Sequence, residues 1–219
     1  MYKKIIITSM IYLAMTHSAN ADISKLISED VSATTQAKVN FTADVTPKSA
    51  SELSSVIDEI NVNYPKLKRI LLYINSGGGD MDSGRLAYWS VKNSHIPITT
   101  VDVSMTASAA TLFYCAADQR YALPGSHFIL HPASISIPSG DAKPNDVDII
   151  NRNINLGNEI FKGIYKKCTS LSDAEIKTIL YSEQGSLSLN PQEAMKIKLT
   201  TNITKDIPLS NINYYVTSA

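Results

Sequence analysis

From Lys38 to Leu130 the hydrophobic positions switch repeatedly between a period of two and a period near that of a helix. In "KVNFTADV" the alternation of Val39, Phe41 and Ala43 predicts a strand. After Pro47, the residues Leu53, Val56, Ile57 and Ile60 recur at helical spacing, with Ser49 or Ser51 as the expected cap. "RILLYIN" is apolar without interruption, the pattern of a strand buried on both faces. It runs into Ser76-Gly77-Gly78-Gly79, and "MDSGRLAYWSVKNS" then reads as a second helix. "PITTVDVS" predicts another strand, Ala107 to Ala117 a helix, and "HFILHP" a further strand. Strands alternating with helices predict an α/β domain with a mainly parallel sheet flanked by helices and right-handed crossovers.

Past His131 the pattern changes. "PASISIPSGDAKPNDVD" is rich in Pro, Ser, Gly and Asp and predicts an exposed loop. A long helix follows from about Val147 to Lys167, with Ile150, Ile154, Leu156, Ile160, Phe161 and Ile164 as its apolar face. Ser172 and Glu175 form an S-x-x-E capping box that opens a helix to about Leu180. Asn190 and Pro191 then start a last short helix in "NPQEAMKIKL".

The first 21 residues carry no such alternation. Lys3 and Lys4 precede an apolar run from Ile5 to Met15, and small residues end in Ala19-Asn20-Ala21. This is the pattern of a secretory signal peptide with cleavage expected after Ala21, and the run is too short for a bilayer span, which takes about 20 residues. The expected product is secreted or periplasmic, with no stable membrane anchor. The chain then divides into a signal peptide (1–21), a polar N-terminal arm (22–38), a main domain (39–204) and a C-terminal tail (205–219).

Composition narrows the function classes. The 219 residues suffice for one sizeable domain, and 20 basic residues balance 20 acidic ones. Such a balance offers no basic surface for nucleic acid. The only cysteines are Cys115 and Cys168, which an oxidising compartment would allow to pair. Cys115 lies in the apolar stretch "ATLFYCAA", so the expectation is an unpaired, buried residue behaving as a small hydrophobe. No metal site or cofactor is indicated.

Three chemical candidates fall just beyond the carboxyl ends of predicted strands, where functional groups of parallel sheets collect. They are the glycine turn after "RILLYIN", Ser108 after "PITTVDVS", and His131 at the end of "HFILH". A serine hydroxyl needs a base to take its proton, and histidine titrates near neutrality. His131 is the best-placed base: His17 falls in the signal peptide, His95 in a surface turn, and His127 about 13 Å further back along the same strand. Gly78 in its turn and Ala109 at a helix start are suited to offer backbone N–H groups to an oxyanion. The glycines do not make a dinucleotide site, although Asp102 falls near the distance of a ribose-binding acid. The third glycine of that fingerprint would be Asp82, and Asp80 and Asp82 would repel a pyrophosphate.

"LLYINSGGGDMDSGRLAYWSV", "MTASAATLFYCAADQRYALPGSHFILHP" and "LNPQEAMKIKL" resemble the proteolytic subunit of the Clp protease family and its relative signal peptide peptidase A, in family order from about Val39 to Thr204. The resemblance implies a ClpP/crotonase-like ββα superhelix, serine peptidase activity, peptide or unfolded-protein substrates and a homo-oligomer. By position it implies Ser108 as nucleophile, His131 as general base, and Gly78 and Ala109 as oxyanion donors. The family's S-P-G-G reads Ser76-Gly77-Gly78-Gly79 here, and the helix after Ser108 is compressed at "CAADQRY". For the third triad member, counting forward from the capping-box helix gives Glu183, and counting back from "PQEA" gives Ser186. Glu183 is the preferred choice because it carries charge. The alternatives are a catalytically inactive peptide-binding or assembly subunit and, with less support, a crotonase-type acyl-coenzyme A enzyme. No G-x-x-x-x-G-K-[ST] nucleotide loop occurs, so an ATP-independent peptidase is expected.

Overall fold

A computed structural model describes residues 22–136, 141 and 143–218; the signal peptide lies outside the described residues. The chain runs β1 (Asp22–Ile27), β2 (Gln36–Thr42), α1 (Pro47–Asn63), β3 (Arg69–Ser76), α2 (Met81–Lys92), β4 (Ile98–Ala107), α3 (Ala110–Tyr114), β5 (Gln119–Ala122) and β6 (His127–Leu130). It continues with α4 (Pro144–Cys168), α5 (Asp173–Ile179), a 3-10 turn (Glu183–Gly185), β7 (Leu187–Leu189), α6 (Pro191–Lys196), β8 (Asn202–Ile203) and β9 (Ile212–Thr217).

The sheet order is β1-β9-β2-β3-β4-β5-β8, parallel except that β1 pairs antiparallel with β9, and β7 antiparallel with β6. Each step from β2 to β5 moves one strand in the same direction with a helix between. Right-handed crossovers therefore stack α1, α2 and α3 on one face. That face holds the main core, including Phe41, Ile57, Ile74, Phe113, Tyr114, Phe161 and Tyr165, all at most 2 % exposed. Leu71, Tyr73 and Val101 form a second buried cluster, with Val103, Tyr121 and Leu123 packed against it. Thr204, Asp206 and Pro208 border the cavity beside this cluster, so the chain leading from β8 to β9 passes along it.

The two terminal segments set apart on sequence both enter the sheet. Residues 22–27 form the edge strand β1, and the tail delivers β9 between β1 and β2. Neither strand was legible, because β1 is polar and exposed and β9 gains its alternation only beside β2. β5, β7 and β8 were too short to read. α1 is capped by Thr46, with Ser49 as the third residue of a reciprocal capping box, rather than by Ser49 or Ser51. α3 spans five residues, far fewer than Ala107 to Ala117, because the chain stays extended through Ala107 and turns sharply at Ser108. The packed face of α4 is Gly157, Phe161, Ile164, Tyr165 and Cys168, while Leu156 is exposed.

The cysteine expectation was wrong: Cys115 and Cys168 form a disulfide. It joins the residue after α3 to the last residue of α4, and both cysteines are buried. Periodicity could place Cys115 in the core but could not show that α4 ends against it. Arg120 reinforces the same junction. Its guanidinium donates to the carbonyls of Ala117, Cys168, Lys198 and Leu199, so the arginine of the R-Y-x-L-P segment acts as a clamp between elements.

Closing a loop across a sequence separation of 53 residues restricts the unfolded chain. Replacing both cysteines by serine should lower the unfolding free energy by about 4 kcal/mol, read from urea denaturation under non-reducing conditions.

Candidate active site

Ser108 sits at the tip of β4, where it leaves the sheet with φ of 52°, one of two non-glycine residues with positive φ among the described residues. That conformation costs a non-glycine residue roughly 1–2 kcal/mol and persists where the surroundings fix it. Here the Ser108 N–H donates to the Ile129 carbonyl of β6 at 3.0 Å. The Ser108 carbonyl accepts from the Thr111 N–H at 2.9 Å and from Thr111 Oγ1 at 2.6 Å. Thr111 Oγ1 in turn meets the Tyr165 hydroxyl of α4 at 2.9 Å. Ser108 is thus not a helix cap; Ala109 holds the cap position of α3, without a side-chain cap bond.

Gly78 lies directly against this turn. A Cβ built on it would fall 2.5 Å from Ser108 Cβ and 3.0 Å from the Ala109 nitrogen, and its φ is 94°. Only glycine fits there. The turn is tied down by the Val45 N–H donating to the Gly78 carbonyl and the Asp80 N–H donating to the Val45 carbonyl, both at 2.8 Å. Gly78 and Ala109, the two expected oxyanion donors, are therefore brought together. The Gly78 N–H donates to Ser76 Oγ at 3.2 Å, so an incoming oxyanion must share or displace that bond.

β6 runs parallel to the end of β4, with Ala107 opposite Ile129. His131, the residue just past β6, consequently leaves the sheet on the strand beside the Ser108 turn. Its side chain is 23 % exposed, and Nδ1 is buried without an aligned hydrogen-bond acceptor among the described residues. Glu183 Oε1 stands 3.4 Å from that Nδ1, within ion-pair distance, on a side chain that is 68 % exposed. Ser186 Oγ donates to the other carboxylate oxygen, Oε2, at 3.3 Å. Both candidates for the third position thus fall in one chain, His131–Glu183–Ser186, with Glu183 next to the imidazole. The long contact is within what ligand-free sites show before substrate tightens them.

The residues after His131, the charged start of α2 with Asp80, Asp82 and Arg85, and the middle of α4 border a cleft of about 720 Å³. Gly79, Met81, Ala133, Ile135, Ile154 and Ile160 line it. It begins at Gly79, one residue after Gly78, and includes Ala133, two residues after His131. The sequence pattern predicts only an exposed loop here and assigns it no role; the apolar Ala133 and Ile135 within "PASISIP" were the available signal.

Residues 29–206 match the family described as Clp protease. The chain belongs to the Clp protease family. Among its relatives, the ATP-dependent Clp protease proteolytic subunit 1 of Chlamydia caviae is 33% identical over 135 residues, 60% of this chain and 69% of that protein. The corresponding subunit of Chlamydia muridarum is 29% identical over 169 residues, 76% of this chain and 85% of that one. The solved structure of a ClpP1 point mutant from Listeria monocytogenes superposes with a TM-score of 0.62 at 19% identity, covering 77% of this chain and 91% of that one. The fold is accordingly ClpP-like, α/β with a mixed sheet and helices packed on it, and family membership carries serine peptidase activity in general terms.

One feature of this Clp family chain is electrostatic. Asp102 on β4 is fully buried, and burial pushes its carboxyl up to about 7. The folded protein therefore holds a proton that the unfolded chain releases near the ordinary aspartate value. The contribution of Asp102 to stability is full in acid and falls as pH rises from about 4 to about 7, by up to about 4 kcal/mol. Urea unfolding at both ends of this range should show the fall in the wild type and its loss in Asp102→Asn.

Proposed function

We propose that the protein is an exported serine peptidase that hydrolyses peptide bonds without ATP. Ser108 Oγ attacks the peptide carbonyl while His131 takes its proton, and the N–H groups of Gly78 and Ala109 receive the developing negative oxygen. His131 then returns the proton to the leaving amine. Water activated by His131 hydrolyses the resulting acyl-enzyme. Glu183 faces the imidazole nitrogen away from this chemistry and stabilises its cationic form, and the cleft along α4 receives the substrate chain.

The observation that carries this reading is the Ser108 turn. A strained serine, held by three hydrogen bonds beside a glycine that admits no side chain, is difficult to account for by packing alone. Export is supported by the leader-like residues 1–21 and by the Cys115–Cys168 bridge, which suits an oxidising compartment. ATP dependence is stated in the names of the relatives and is not carried over, because an exported chain would be separated from a cytosolic unfoldase. Peptides or unfolded proteins are the expected substrates, and a homo-oligomer the expected assembly. A second reading, an inactive peptide-binding or assembly subunit, is favoured by the Gly78 N–H already engaged by Ser76 and by the exposure of Glu183.

Labelling of the purified chain by a fluorophosphonate separates the two. Wild type should be labelled, Ser108→Ala not at all, and His131→Ala slower by about 10²-fold or more. Glu183→Gln should slow labelling by about tenfold, less than loss of a buried triad acid, because water screens an exposed carboxylate. A folded wild type that resists labelling supports the binding or assembly reading.

For export, intact mass of the protein recovered from outside the cytoplasm should correspond to a chain starting at Asp22. A chain retained in the cytoplasm with Met1 to Ala21 attached would overturn that part of the proposal.

A further inference from the structure

β4 is shared between two strands. Its Thr99–Asp102 portion pairs with β5, and its Met105–Ala107 portion pairs with β6. Between them its register to β3 slips, from Ile74 opposite Asp102 to Ser76 opposite Thr106. The strand therefore forks, and Ser108 and His131 extend from the two upper prongs.

Three polar side chains lie at the fork. Asp102 is the last residue paired with β5, Thr106 is paired with Phe128 of β6, and Ser126 is in the turn joining β5 to β6. They are 0 %, 0 % and 3 % exposed. Both carboxyl oxygens of Asp102, Thr106 Oγ1 and Ser126 Oγ all lack a partner of good geometry, although the two hydroxyls and the Ser104 N–H lie close enough to act on the carboxyl. The turn is held to the same place by the Leu123 N–H donating to the Asp102 carbonyl at 2.9 Å. Four buried orphan atoms in one place require an explanation.

We propose that Asp102 is a positioning residue for Ser108, and that its protonated carboxyl closes the fork on Thr106 and Ser126. Resting on the peptidase reading above, this makes the reactivity of Ser108 depend on a proton that never touches the reacting atoms. A neutral carboxyl donates to one hydroxyl and accepts from the other, which satisfies the cluster. An ionised one meets no cation among the described residues. The titratable group facing it is Tyr114 of α3, neutral and bonded to the Tyr121 carbonyl at 3.1 Å. β3 and β5 present Ile74 and Ala122 opposite it. Arg120 of β5 is committed to the carbonyls at the disulfide junction. Burial places the titration at about 7, the range in which a histidine base becomes active.

The test is the rate of fluorophosphonate labelling of Ser108 across pH. Wild type should give a bell: a rise on the acid side as the base loses its proton, then a fall of roughly tenfold over about one to two pH units above 7. Asp102→Asn keeps the shape of the neutral carboxyl, so it should retain the rise and lose the fall. Ser126→Ala removes a hydroxyl that eases ionisation and should move the fall to higher pH; it serves if Asp102→Asn does not fold. A fall that persists in Asp102→Asn, is absent from wild type, or keeps its midpoint in Ser126→Ala overturns the inference while leaving the peptidase reading intact. Absence of labelling at every pH overturns both.

Discussion

The arrangement depends on a single strand doing two jobs. β4 must hold the centre of the sheet between β3 and β5, yet its last residues have to leave that plane to meet β6. A regular strand cannot do both, and the slip in register between Ile74 and Ser76 is where the conflict is absorbed. Beyond the slip, each distinctive feature of the site follows. Ser108 can take a left-handed conformation because β6 supplies the Ile129 carbonyl and α3 starts at once. His131 leaves the sheet beside it because β6 pairs in parallel with the same three residues.

The stability of that turn is drawn from a distance. Thr111 holds the Ser108 carbonyl and is itself met by Tyr165, which stacks on Phe161 in the core of α4. The far end of α4 is bound to the end of α3 by the Cys115–Cys168 bridge and the carbonyl clamp of Arg120. The short α3 has too few residues to be stable as an isolated helix, and its anchors at both ends replace the missing turns. The same α4 lines the cleft, so one helix both braces the Ser108 turn through Tyr165 and forms a wall of the cleft.

The charge arrangement is uneven between the two sides of the site. On the solvent side, His131 looks toward Glu183 and Ser186, a relay with water close at hand. On the core side, Asp102 is buried at the fork, with the hydroxyls of Thr106 and Ser126 and the Ser104 N–H acting on its carboxyl. In the second setting ionisation is opposed, and any change of state is felt by the strand that carries it. The two carboxyl groups thus stand in opposite surroundings, one exposed beside His131 and one buried at the fork.

The order of local patterns was enough to read the mainly parallel α/β plan, the long helices and the Clp family resemblance. Glycine turn, small-residue stretch and strand-end histidine each occur in a fixed place relative to a strand, and strand ends in a parallel sheet converge. The capping box at Ser172 and the cap at Asn190 were legible for the same reason: they involve residues close in sequence. What only the tertiary structure decided involves partners far apart in sequence. The pairing of Cys115 with Cys168, the capture of the tail as β9, and the placing of Glu183 next to His131 with Ser186 beyond it all depend on where separate segments come to rest. The fork at Asp102 belongs to that group as well. Along the chain Asp102 is one polar residue in an apolar strand, and it becomes a buried, protonatable contact only once β5 and β6 divide β4 between them.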